Sequence, residues 1–214
     1  DRLQAAPAGS ESQKIWYSAF VRSAHTPEAL LLVRNLLDGT REIEGIMIDQ
    51  DKRWDLVKIL NRYRFEDYAA RLEAERVRDP SDQGNNLYIA SEVIRPDPAG
   101  KARWLSLVID APDTYKLATL RYIMGNLFPP EQGALLEQLK EQILQAVPDM
   151  NSQAPLELLG NFTSYMDAAT CTPASAERLS QANAAFAGMQ ASVVKAYLVH
   201  HQNDARCVLL KSAL

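Results

Sequence analysis

Residues that anchor chemistry are scarce in this chain of 214 residues, which holds two cysteines and three histidines. The histidines, His25, His200 and His201, form no His-Glu-x-x-His, the helical spacing that sets two imidazoles one turn apart around a metal and a base. His200 and His201 are neighbours, so on a helix they diverge by about 100° and share a metal poorly. His201 continues a stripe of Val194 and Leu198 and is expected as a satisfied, semi-buried residue. Cys171 and Cys207 have no histidine close in sequence, and neither a Gly-x-Ser-x-Gly elbow nor a phosphate-cradling glycine loop occurs, so nothing points to nucleophilic catalysis. The cysteines could pair in an oxidising compartment, but the simpler expectation is two small buried apolar side chains. The compartment stays open between cytoplasm and periplasm or secretion.

No apolar run approaches the roughly 18 residues needed to span a bilayer; the longest, Ala29–Val33, belongs to an amphipathic helix. Membrane insertion is therefore not expected of this piece. A formal charge of −4 supplies no basic stripe, which excludes nucleic acid as the expected partner. The 47% hydrophobic and 23% charged fractions are those of an ordinary globular chain. Asp1-Arg2-Leu3 opens it without an initiator Met or a signal-peptide pattern, as expected of a piece of something longer.

What is present is helical. The small, polar lead-in 1–12, DRLQAAPAGSES, is expected to be disordered. From Gln13 the residues Ile15, Trp16, Ala19 and Phe20 recur at helical spacing. Thr26-Pro27-Glu28 starts the next helix: Thr26 caps, Pro27 needs no amide donor, and Glu28 meets the positive end of the dipole. Gly39 stands where a left-handed C-cap belongs. Asp49 caps a helix whose Leu56, Ile59, Leu60 and Tyr63 share one face while Trp54 points almost opposite. Apolar groups on both sides predict a helix sandwiched between neighbours.

Further helices follow on Phe65, Tyr68, Ala69 and Leu72, on Leu87, Ala90 and Ile94, on Ala102, Leu105 and Ile109, and on Leu117, Leu120 and Met124. The longest, on Leu135, Leu136, Leu139, Ile143 and Val147, is expected to stop at Pro148, because an interior proline costs about 3 kcal/mol. Leu158, Phe162 and Tyr165 come next, then Leu179, Ala182, Asn183 and Phe186, then Val194, Tyr197 and Leu198, and a last short helix on Ala205, Val208 and Leu209. The expected fold is all-α, about a dozen helices in HEAT-like antiparallel pairs forming one superhelical domain over 13–214. Glu42–Asp49 alternates weakly, but Gly45 breaks it as a strand.

One face is less bland. Opposite the Leu117 stripe, Tyr115, Thr119, Tyr122 and Asn126 align at helical spacing, with Arg121 beside them. Rings carrying hydroxyls can hold a peptide by stacking and hydrogen bonds; the same face would equally serve to pack the next helix layer. Arg53, Arg78, Arg95 and Arg121 could each grip a substrate carboxylate or pair between helices. Asp49, Asp51 and Asp55 lack the glycine and the final Glu of a calcium loop and serve as caps and solvated charges. Asp79-Pro80-Ser81-Asp82 is a turn and helix start before it is an acid pair.

Several stretches carry a family likeness: Ser23-Ala24-His25-Thr26-Pro27-Glu28, Leu36-Leu37-Asp38-Gly39, Ile48-Asp49-Gln50-Asp51-Lys52-Arg53-Trp54 and Arg78-Asp79-Pro80-Ser81-Asp82. Ile94-Arg95-Pro96-Asp97 with Lys101 and Trp104, and Phe128-Pro129-Pro130-Glu131-Gln132, extend it. On these the chain resembles the carboxy-terminal helical domain of the zinc aminopeptidases related to aminopeptidase N and puromycin-sensitive aminopeptidase (gluzincins). The likeness runs from about Trp16 to the end, weakens between Pro148 and Lys195, and marks Leu214 as the expected natural terminus. It implies an α-superhelical bowl closing over an upstream thermolysin-like domain that holds one zinc ion and an activated water. The parent would remove amino-terminal residues from peptides. The partners implied are that upstream domain and the peptide, while no catalytic residue or zinc ligand falls in this piece. The alternative is a free-standing HEAT-like scaffold that binds a protein partner.

Overall fold

The computed structural model describes residues 2–167 and 169–213. Among the described residues there are twelve α-helices and no strand, only an isolated bridge between Ile43 and Ile46. The chain divides into two compact units, Asp1–Pro96 and Asp97–Leu214.

The first unit contains α1 (Arg2–Ala5), α2 (Glu11–Ser23), α3 (Pro27–Leu37), α4 (Gln50–Arg62), α5 (Tyr68–Arg78) and α6 (Asp82–Val93). Helix α4 is its hub and touches α2, α3, α5 and α6. Trp54, Leu56, Val57, Ile59, Leu60 and Asn61 are all buried on it, as expected of a sandwiched helix. Burying each large apolar side chain stabilises the unit by about 1.5–3 kcal/mol.

Helix ends in this unit follow local chemistry. The Thr26 and Ser81 hydroxyls and the Asp49 carboxylate accept from the amides of Ala29, Gly84 and Lys52 at 3.3, 3.0 and 3.0 Å. Gly39 takes φ +71°, and the Thr40 amide reaches back to the Asn35 carbonyl at 3.0 Å, closing α3 with a left-handed cap.

The lead-in is not disordered. Ser10 caps α2 by accepting from the Gln13 amide at 3.2 Å, and the buried Gln13 side chain receives the Gly9 amide at 2.7 Å while donating to the Glu44 carbonyl at 2.9 Å. Gly45 sits at φ +83°, and a Cβ there would lie 2.1 Å from the Gly9 nitrogen. Only glycine allows this loop and the lead-in to touch. Low complexity hid a Ser-x-x-Gln helix start. The buried face of α2 is Gln13, Tyr17 and Val21, so Ile15 is exposed rather than part of the buried stripe.

The second unit contains α7 (Pro98–Asp110), α8 (Leu117–Leu127), α9 (Gly133–Gln153), α10 (Leu156–Tyr165), α11 (Pro173–Ala185) and α12 (Ala191–Ser212). Helix α7 packs on α8 and α9, both of these pack on α10, α10 meets α12, and α11 lies along α12.

Two expectations fail here. Pro148 lies inside α9. Its ring is on the exposed side, flanked by buried Val147 and Met150, so burial carries the helix past a lost amide on the side where water can serve the freed carbonyl. The last two helices foreseen are one continuous α12, with Val193, Tyr197, His200 and Asp204 buried. Leu198 is exposed; His201 is half-buried, as expected, and the buried imidazole is its neighbour His200.

Candidate functional site

The structure separates the members of the tyrosine face. Helix α8 buries Leu120, Ile123, Met124 and Leu127, leaving Thr119, Tyr122 and Asn126 half-buried on another side. Tyr115 is not on the helix: it is extended, at φ −129° and ψ 153°, with its ring centroid 6.4 Å from that of Trp104. The Asn126 amide donates to the Tyr122 carbonyl at 2.8 Å, one turn back. Arg121 reaches α10, donating to Asn161 at 3.0 Å and to Glu157 at 2.7 Å. What remains as a common surface is Thr119, Tyr122 and Asn126, with Arg121 turned to a neighbouring helix.

The other arginines also have partners within the chain. Arg53 clamps Glu75, 2% exposed, through Nε at 3.0 Å and Nη2 at 2.6 Å, and donates to the Leu37 carbonyl at 3.0 Å. Gln50 adds a donor to Glu75 at 2.6 Å, and Arg78 approaches the same carboxylate at 3.8 Å. Arg95 donates to Asn61 at 2.8 Å and stacks over Tyr68 at 5.3 Å. The Trp54 indole donates to Asp79 at 2.8 Å; hydrogen bonds from Ser81 and then Trp54 hold that carboxyl below its ordinary range. Two of the stretches that carry the family likeness, Ile48–Trp54 and Arg78–Asp82, therefore meet where the buried Trp54 donates to the half-buried Asp79. Their spacing is explained by helix caps and paired polar groups.

The second unit holds a cluster that apolar periodicity missed. The Cys171 and Cys207 sulfurs are bonded, with Cα atoms 5.4 Å apart; this corrects the expectation of two separate apolar side chains. The bond ties the connector between α10 and α11 to α12. Beside it, buried Asp204 accepts from the Cys171 amide at 2.6 Å through Oδ1, while its Oδ2 has no partner. His200 places Nε2 2.8 Å from the Thr163 carbonyl and Nδ1 3.1 Å from the Asp167 carboxylate. With an acceptor at each nitrogen, the imidazolium satisfies both. Burial opposes that charge, but the hydrogen bond and charge of Asp167, together with the Thr163 carbonyl, outweigh it and raise the pKa of His200. Thr170 donates to Glu137 at 2.8 Å, and Glu137 also pairs with Arg178 and buried Lys140. Burial works against the Glu137 charge, yet these partners hold its carboxyl below its ordinary range.

A cavity of about 440 Å³ opens next to this cluster, with Phe128, Pro129 and Leu136 on one wall and Asp204, the disulfide and Lys211 on another. In the first unit a cavity of about 690 Å³ lies under the loop after α3, lined among others by Asp38, Arg41, Glu44 and Arg53.

The His25 Nδ1 lies 2.7 Å from the Ser23 carbonyl and His200 has both nitrogens engaged. No group of three or more His, Cys, Asp or Glu among the described residues is arranged to hold a metal.

No family model matches the sequence. By direct comparison the chain is similar to a stretch of a peptidase. That relative is aminopeptidase N of Streptomyces lividans, 34% identical over 149 residues, which are 69% of this chain and 17% of the relative. The likeness supports a relation to the aminopeptidase N family, and this chain spans only a minor part of that relative's length. Among the described residues no helix is long and apolar enough to cross a membrane.

Proposed function

We propose that this chain is the carboxy-terminal substrate-chamber domain of a zinc aminopeptidase, non-catalytic by itself and arranged as a HEAT-like superhelix beside an upstream domain. The observation that carries this reading is the 34% identity to aminopeptidase N over 149 residues. The all-helical architecture agrees with it. Helix α12 leaves Leu198, Val199, Leu209 and Leu210 exposed, apolar area of the kind a neighbouring domain covers. In this reading the zinc ion and the activated water belong to the upstream domain, and this chain contributes a wall of the chamber that admits peptides. Thr119, Tyr122 and Asn126 are the surface assigned to peptide contact, with Tyr115 and Arg121 flanking it.

Hydrolysis of an aminoacyl anilide tests the first half. The purified chain is expected to release no product above the blank, with or without added zinc; zinc-dependent turnover that co-purifies with the chain would overturn the reading. In the parent, Tyr122→Ala is expected to raise KM for long peptides several-fold and to leave dipeptide-sized substrates near the parent value. Equal effects on both would remove the peptide-wall role. A free-standing scaffold is the second reading, favoured by the structural use of the motif residues around Arg53, Trp54 and Asp79. A reading frame upstream of Asp1 without His-Glu-x-x-His would select it.

A further inference from the structure

We infer that the Cys171–Cys207 disulfide is a thiol-sensitive latch that holds the end of α12 and the α10–α11 connector closed over the 440 Å³ cavity. The bond is reachable. Both cysteines are half-buried and both line that cavity, so a small thiol can approach the sulfurs without unfolding the unit.

The bond is also what holds this end of the helix. On α12 the buried residues are Val193, Tyr197, His200 and Asp204; past Asp204 the helix runs two further turns with Arg206, Leu209, Leu210 and Lys211 exposed. Over that stretch Cys207 supplies a covalent tie, and Lys211 adds one long hydrogen bond to the Cys171 carbonyl at 3.4 Å. A helix end with so little burial frays readily once its tether is cut.

On the other side of the bond, Cys171 sits at φ +57°, a left-handed backbone unfavourable for a residue with a side chain. Its amide is held by Asp204. By contrast, the packing of α11 on α12 rests on Leu179, Phe186, Val193 and Tyr197 and does not need the sulfurs. Cutting the bond therefore loosens the connector and the end of α12 and widens the cavity toward Phe128, Leu136 and Asp204.

The chemistry is thiol–disulfide exchange. A thiolate of a small dithiol attacks one cysteine sulfur, the protein S–S bond breaks, and a mixed disulfide forms. The second thiol of the reagent closes on it. The protein gains two electrons and two protons as a pair of thiols, and the dithiol leaves as its own disulfide.

Dithiothreitol added to the full chain without denaturant, followed by alkylation and mass analysis, gives the first readout: both cysteines are expected to be trapped. Amide exchange gives the second. Residues 169–172 and 205–212 are expected to exchange at least about tenfold faster after reduction, while 193–200 stay protected. Cys207→Ser should show the same local pattern with no reductant present. Three results overturn the latch: sulfurs that react only in denaturant, exchange unchanged by reduction, or exchange that rises throughout the second unit, which would make the bond a global staple.

Discussion

The two units solve the same problem, burying polar side chains between helices, with different completeness. In the first, Asn61 is fully buried and satisfied on both ends: its amide donates to the carbonyls of Val57 and Tyr68, and its oxygen accepts from Arg95. Glu75 is held by Arg53 and Gln50. In the second, Asn183 has neither side-chain atom partnered, the Tyr197 hydroxyl has no partner, and Asp204 uses one oxygen of two. The first unit has unpartnered atoms too, on Tyr17 and on Arg71, whose guanidinium still pairs with Asp38 at the end of α3 through another nitrogen. A buried polar group stabilises when it is paired and costs about 1–3 kcal/mol when it is not. The same residue type is thus expected to act with opposite sign in the two halves of the chain.

The most severe test of that contrast removes a charged partner. Glu75→Ala leaves the Arg53 guanidinium, largely buried, without its carboxylate and is expected to destabilise the first unit by about 3 kcal/mol. Urea unfolding followed by the fluorescence of neighbouring Trp54 reads it, and a loss below about 1 kcal/mol would mean that the pair does not clamp α4 to α5.

A matched pair of substitutions sharpens the comparison. Asn61→Leu strands Arg95 and the Tyr68 carbonyl and should cost about 2 kcal/mol, whereas Asn183→Leu removes two unpaired atoms and should be neutral or stabilising by up to about 1 kcal/mol. Equal losses at both positions would erase the proposed difference between the units.

The smallest effect is electrostatic. Because the folded pKa of His200 is raised above its ordinary value of 6.5, its contribution is full below that value and is lost as pH rises through the folded pKa. The wild type is expected to lose more stability than His200→Gln as pH rises from below 6.5 through the folded pKa. Parallel thermal melts of the two proteins measure this, and coincident pH profiles would show that the Asp167 pair has no energetic weight.

The same contrast explains what could be read from the sequence. In the first unit, Thr26, Gly39, Asp49 and Ser81 announce their helix ends through chemistry confined to a few neighbouring residues. In the second, Thr172 is the helix start given by a side-chain cap, accepting from Ser175 at 3.1 Å. Pro148 was a stop by local rules and an interior residue in fact. The candidate site fared likewise: the helix carrying Thr119, Tyr122 and Asn126 was legible, but the loss of Tyr115 to an extended turn and the pairing of Arg121 with Glu157 depend on Trp104 and α10. The buried faces missed outright hold Gln13, Glu75, His200 and Asp204, residues that apolar periodicity assigns to solvent.

By itself the sequence determined the helical class, the sandwiched position of α4 and the helix starts at Thr26, Asp49, Ser81 and Thr172, because caps and hydrophobic spacing act within a turn or two of the chain. Tertiary structure alone decided which polar groups go inside and that Cys171 meets Cys207. A buried carboxylate or imidazole is tolerable only when a distant residue supplies its partner, and no local pattern encodes that partner's position.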